Sequence, residues 1–358
     1  MGLSDRLGQL AARHAHVLVI EVPGHWQTRA AVERAALARG WNLAFSPADA
    51  DVLAVCGEPG PQIDKAVEQV WHQIPGPRVR VDVRRHDDAA ARLEEAYAGL
   101  LDTAHHRNDA HSRPTAPDLI ADKKADDHDD MDHGDMDHGD MDMSPSGIPL
   151  AEGGEDRDGL EMDVLHVRLG PILPHWPAGL MLRCALQGDV ITEAEAELLD
   201  DGMPDHCGPS AALPCRLDNI VALLALAGWD DAAAEARAIR DCLLDGGQDA
   251  VTSARIARLA RRVRRSRVLR WSLRGIRPLS EKDLSQRGLP TSLAGDTYDR
   301  LLRMLEGAAT DVVGDRLATH HLPRLVTGLD LATARLVVAS LDLHELRPGH
   351  AEHEAAHV

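Results

Sequence analysis

Short apolar runs and amphipathic stretches alternate along the first hundred residues. The runs at 16–22 (HVLVIEV), 51–57 (DVLAVCG) and 79–83 (VRVDV) are rich in β-branched residues and have strand length. Residues 28–39, 62–73 and 87–101 have helical spacing instead. In the second of these, Ile63, Ala66, Val67 and Val70 share one face, and Ile74-Pro75-Gly76-Pro77 stops the helix. Strand and helix in strict alternation predict an α/β parallel three-layer N-terminal domain over residues 1–104. A site in such a sheet lies beyond the C-terminal strand ends, here residues 22–26 and 56–60.

The periodicity lapses over 105–158. This stretch carries MDHGD twice in tandem, at 131–135 and 136–140. Between Asp118 and Asp163 there are seventeen acids against Lys123, Lys124 and Arg157, so most of the chain's −19 charge sits there. Too little apolar surface is present to offset the entropy of ordering, which predicts a disordered acidic linker.

Strand-like patterning resumes at 162–170 and 180–191, around the proline-rich PILPHWP. Helical spacing then dominates 192–200, 215–227, 231–244, 253–273, 297–313 and 322–343. The expectation for 159–346 is a mainly α C-terminal domain with a small β entry. A His-rich tail follows at 347–358.

Composition narrows the function classes. The 358 residues include 39 Lys+Arg and 58 Asp+Glu, a balance that argues against nucleic acid as a partner. Spanning a bilayer takes roughly 18 continuous apolar residues, and no run approaches that. With no targeting pattern at the N-terminus, the expected location is cytoplasmic. The cysteines (Cys56, Cys184, Cys207, Cys215, Cys242) are odd in number and form no CxxC, unlike a disulfide framework or a zinc ribbon.

Several blocks together resemble a known pair of subunits. DVLAVCG followed by AVEQVWHQIPGPRVRVDV is similar to the small, cluster-carrying subunit shared by respiratory complex I and nickel–iron hydrogenases. LHVRLGPILPHWPAGLMLRCALQGDVI, LPCRLDNIVALLALAG, GIRPLSEKDLSQRGLP and GDTYDRLLRMLEG resemble, in that order, blocks of the partner large subunit, the quinone-pocket subunit of complex I. The resemblance implies a fusion of both modules, paired with each other and peripheral to the inner face of the plasma membrane through antiporter-like membrane subunits. It implies a structural or assembly role in an ion-translocating redox-type complex. Quinone-linked oxidoreductase activity retained with a partner is the alternative.

The departures from that family bear on its cofactors. The first turn reads VPGHWQ and has no cysteine, and Cys56 has no thiol neighbour in sequence. A cluster needs about four converging thiolates, so neither an Fe–S cluster nor a NiFe centre is expected. Leu173 and Pro177 stand where the large subunit has histidines. His25 and Trp26 at the first turn, and His175 in the former quinone motif, are the candidate remnant pockets. The alternative for His25 and Trp26 is a turn packed against the sheet, and for His175 packing beside the prolines.

Two further features carry chemistry. In the tandem repeat, Asp132, His133, Met136, Asp137, His138, Met141 and Met143 offer carboxylate, imidazole and thioether, a set that suits Ni, Cu or Zn. That supports a metal-handling accessory role, against a plain solvated spacer. Residues 255–277 hold ten arginines and no acid. Arg261, Arg262, Arg264, Arg265, Arg267 and Arg270 form a candidate docking face for an anionic surface, against a solvated helix paired with acids elsewhere.

Overall fold

The computed structural model describes residues 3–113, 152–155, 161–200, 212–247, 249–310 and 317–343. Helix α1 (Leu3–Ala12) precedes β1 (His16–Glu21), α2 (Trp26–Ala38), β2 (Asn42–Leu43) and β3 (Val52–Cys56). Then come α3 (Pro61–Gln73), β4 (Val79–Val83), α4 (Ala89–Leu100) and α5 (Thr103–Ser112). The four strands are parallel, in the order β2-β1-β3-β4. All of β3 is buried, because helices cover both faces of a parallel sheet; its residues are apolar without alternation. Val52, Ala54 and Cys56 point into the core under α2 and α4, while Leu53 and Val55 meet Ile63 and Val67 of α3. The edge strand β4 buries Val81 and Val83 and leaves Asp82 exposed.

The predicted α/β layer order is present. Strand β2 and helix α1 add to it, and α5 occupies the first residues of the stretch expected to be linker. The order changes direction between β1 and β3, so the crevice beyond their C-terminal ends is the position where such sheets bind ligands.

The C-terminal part opens with an antiparallel sheet: β5 (Glu152–Glu155), β6 (Glu161–Leu169), β7 (Leu180–Gln187) and β8 (Val190–Leu198). Residues 192–200 are therefore largely strand, which corrects the predicted helix. Ala and Glu favour helix locally, but TEAEAEL also alternates, and pairing with β7 decides. Glu193, Glu195 and Glu197 lie on the exposed face, and the residues between them are more buried. The run 180–191 is not one strand either, since Gly188 (φ +62°) and Asp189 turn the chain between β7 and β8.

Among the described residues eight helices follow: α6 (Ala212–Leu226), α7 (Asp230–Leu244), α8 (Ala250–Arg265), α9 (Arg267–Leu273), α10 (Glu281–Arg287), α11 (Thr297–Thr310), α12 (Leu322–Val326) and α13 (Leu331–Ala339). The predicted helix 253–273 is broken at Ser266, whose hydroxyl accepts the Leu269 N–H and starts α9. The predicted 322–343 is likewise two helices, and the Asp330 carboxylate caps α13 through the Thr333 N–H. One core is built by α6, α7, α8, α9 and α11. A second joins the antiparallel sheet to α10, α12 and α13.

GDTYDR is a structural knot. Tyr298 is part of the helical core. Asp296 accepts the Gly275 N–H at 2.8 Å. Arg300 is 2% exposed and donates to Ser340 Oγ, Thr297 Oγ1 and the Gly295 carbonyl at 2.9–3.0 Å. Burial holds its guanidinium down at about 10.

The N- and C-terminal parts share a core: Met181 and Leu199 join Ile20, Val22, Ile63 and Val67 in one buried cluster. Asp200 accepts the Ile63 N–H at 2.7 Å, so its carboxylate sits at the positive end of α3. Gly179 (φ +73°) lies against Pro23, where an added Cβ would fall 2.6 Å from the Pro23 Cγ. A side chain there would separate the two parts.

Candidate functional site

The switch-point crevice is closed over by the C-terminal part, leaving a cavity of about 480 Å³ between them. From the N-terminal part come Glu21, Pro23, Gly24, Trp26, Arg29, Glu33 and the loop after β2 with Phe45. From the C-terminal part come residues 171–178, Cys215, Asp218, Asn219, Ala222, Arg237 and Leu343. Most of the wall is aliphatic or aromatic, with polar groups gathered on one side.

That side is an ion cluster. Arg29 on α2 binds Glu21 at the end of β1, Glu33 one turn further along α2, and Asp218 of α6. Arg240 of α7 is fully buried and bonds Glu33 at 3.0 Å, Asp241 at 2.8 Å, and Asp218. Arg237 lies 3.6 Å from Glu33. Arg34 with Asp245 adds an exposed link between the same helices, α2 and α7.

Four carboxylates thus face three guanidiniums, and their responses differ. Burial raises the Glu33 carboxyl, but Arg29, Arg240 and Arg237 outweigh it and hold it well below the usual range. Burial wins at Glu21, which is pushed up despite Arg29, and at Asp241, pushed up despite Arg240.

His175 enters the cavity from the proline-rich loop with φ +57°, its ring 5.8 Å from that of Phe45. Burial drives its imidazole down to about 4, while Glu33 and Asp218 on one side and Arg237 and Arg29 on the other pull in opposite directions. The ring is neutral at neutral pH and makes no hydrogen bond to a described residue. It can donate or accept one with a ligand.

The structure brings together two of the three remnant-pocket candidates, Trp26 and His175, although 148 residues separate them in the chain. Trp26 is buried, and its indole N–H has no hydrogen-bond partner among the described residues. His25 stands apart from the cavity lining. It packs over Gly57 (φ +108°), where an added Cβ would lie 2.4 Å from the imidazole Cδ2. The MDHGD ligands Asp132, His133, Met136, Asp137, His138, Met141 and Met143 lie outside the described residues.

The arginine candidates separate into two groups. Arg262 pairs with Glu235 and Asp231, Arg264 pairs with Glu306, and Arg270 donates to the Arg264 carbonyl. Arg261, Arg265 and Arg267 are exposed and make no ion pair among the described residues.

Sequence reasoning missed Arg29, Glu33, Asp218, Arg237 and Arg240. A signal existed: Arg216, Asp218 and Asn219 interrupt an otherwise apolar helix, and Arg29 and Glu33 stand four apart on α2.

The residues beyond β1 and β3 do not fit the Fe–S cluster that the family resemblance implies. The 22–26 turn offers no thiolate, and Cys56 is fully buried in the sheet, with burial pushing its thiol up. Among the described residues, no group of three or more His, Cys, Asp or Glu side chains could hold a metal ion. No described helix is long and apolar enough to cross a membrane. No family model matches the chain, and no curated protein matches it.

Proposed function

We propose that this chain is a fused, cofactor-poor counterpart of the small- and large-subunit pair of complex I and hydrogenases. It serves as a structural subunit of a membrane-associated, ion-translocating redox-type complex. Its inter-module cavity binds a small, uncharged, apolar carbonyl compound of the quinone class.

One observation carries the reading: a cavity walled by both parts contains His175, which is neutral and has no hydrogen-bond partner among the described residues. A neutral imidazole amid apolar walls suits a carbonyl oxygen, whereas a charged ligand would meet a cluster whose charges are already paired. Fusion fixes the ratio of the two modules and raises their effective concentration. The ion cluster then locks them in register. In this reading the shape of the family pair is kept and the thiolate chemistry is not.

The test is titration of the full chain with a short-chain quinone, followed by quenching of tryptophan fluorescence, since Trp26 and Trp176 line the cavity. Saturable quenching is expected, with His175→Asn weakening affinity about tenfold, the worth of one hydrogen bond. Asn keeps the left-handed backbone tolerable at that position. Absence of saturation, or equal affinity in the variant, overturns the ligand assignment. The structural role is tested separately, by co-purification with an antiporter-like membrane subunit at native expression.

A further inference from the structure

Between Asp249 and Glu281 the chain has no acidic residue, although the whole protein carries −19. Helices α8 and α9 present this segment at the surface. Their inner faces bury Ile256, Leu259, Val263, Leu269 and Leu273 in the helical core, which fixes what is left outside. On the outside, Val268 is 75% exposed and Trp271 is 84% exposed, the latter the most exposed large apolar side chain among the described residues.

The two are three residues apart on α9, and so are neighbours on its surface. Arg267 and Arg274 flank Trp271 at four residues before and three after, and Arg261 and Arg265 continue the basic surface onto α8. These four arginines are exposed, and their side chains make no ion pair or hydrogen bond to a described residue.

An indole left in water beside a valine is an unfavourable exposure with no role in the fold. Arg261 and Arg265 on α8, Arg267 on α9 and Arg274 just after it add exposed positive charge to the same segment, with no ion pair among the described residues. An apolar wedge one helical turn long on an arginine-rich segment matches the boundary of an anionic bilayer. There the indole sits at headgroup level and the guanidiniums meet lipid phosphates. A nucleic acid fits less well, because the segment presents one exposed indole rather than a series of aromatic side chains on which successive bases stack.

We infer that the α8–α9 ridge, with Trp271 and Val268 at its tip, is a docking surface for anionic lipid headgroups. It places the chain on a membrane directly, without relying on a protein partner.

Sedimentation of the full chain with vesicles tests this. Phosphatidylcholine alone is compared with phosphatidylcholine mixed with phosphatidylglycerol. The chain is expected to sediment with the anionic vesicles only, and to be released at about 1 M salt, where the screening length falls to about 3 Å. Arg265→Glu with Arg267→Glu is expected to weaken binding by more than about tenfold, each arginine near the surface being worth about a factor of five. Trp271→Ser should remove the blue shift of fluorescence on binding. Both changes lie on the exposed face, and circular dichroism verifies that the fold is intact. The assignment is overturned if the anionic vesicles leave the chain in the supernatant, or if the variants bind as tightly as the parent. Capture of a single-stranded oligonucleotide with no vesicle binding overturns it as well.

Discussion

Arg29, Arg237 and Arg240 lie between the two parts of the molecule, each 17% exposed or less at the side chain and facing carboxylates from one or both parts. Arg261, Arg265, Arg267 and Arg274 lie on the α8–α9 ridge, exposed and without an acid among the described residues. The same side chain serves opposite ends in the two places. Buried and multiply bonded, it specifies one relative placement of α2, α6 and α7, because any slip would strand a charge out of water. Exposed and unpaired, it leaves the fold indifferent and creates a field that an outside anion can answer.

The largest effect expected from this contrast is at Arg29. Replacing it with Met keeps the length but leaves Glu21 without its cation, and Glu33 and Asp218 without one of their two bonded guanidiniums. The loss should be about 3–5 kcal/mol of stability, the usual result of breaking a buried pair on one side. Urea unfolding measures it. A loss below about 1 kcal/mol, the range of surface pairs, would place the interface cluster in the same class as the ridge.

The next effect is in the pH dependence. The folded-state His175 is held down at about 4, against an ordinary value of 6.5. As pH falls below 6.5 the unfolded chain takes up a proton that the folded chain refuses, so stability declines until about pH 4 and then levels off at this group. That share is on the order of 2–3 kcal/mol. Unfolding midpoints measured from pH 7 to 4 should show the parent losing stability relative to His175→Asn as the pH falls from 6.5 to about 4. Parallel curves would mean that the ring is open to protons and the cavity wet.

The smallest effect belongs to the ridge. Arg265→Glu with Arg267→Glu should change the unfolding free energy by less than about 0.5 kcal/mol, as surface changes away from special features do. High salt should be equally silent on stability there. A large destabilisation would show that these arginines are part of the fold, and the two regions would no longer contrast.

How much was legible in advance follows the range of the forces involved. The three N-terminal strands and the helices between them were readable, since β-branched runs and helical spacing are local and agree with the sheet that forms. Trp26 and His175 were singled out by motif position, and they meet in one cavity. His25 was singled out on the same ground and packs over Gly57 instead, because one residue of shift at a helix start turns a side chain to another face. The segment 192–200 reads as helix because alanine and glutamate favour helix in isolation; β7 supplies a partner that no window of sequence contains. The ion cluster was invisible for a related reason. Glu33 and Asp218 are 185 positions apart, and each alone reads as an ordinary charge on a helix.

By itself, then, the order of residues determined the layered α/β start, the helix-rich second part, and the arginine-rich segment 255–277 that contains no acid. Each rests on periodicity or composition within a few turns of chain. Tertiary structure alone decided which arginines are spent on the interior and which stay free, and that a neutral imidazole faces an apolar cavity. Pairing and desolvation depend on what is brought across from elsewhere in the chain, and burial fixes the protonation state only once that neighbour has arrived.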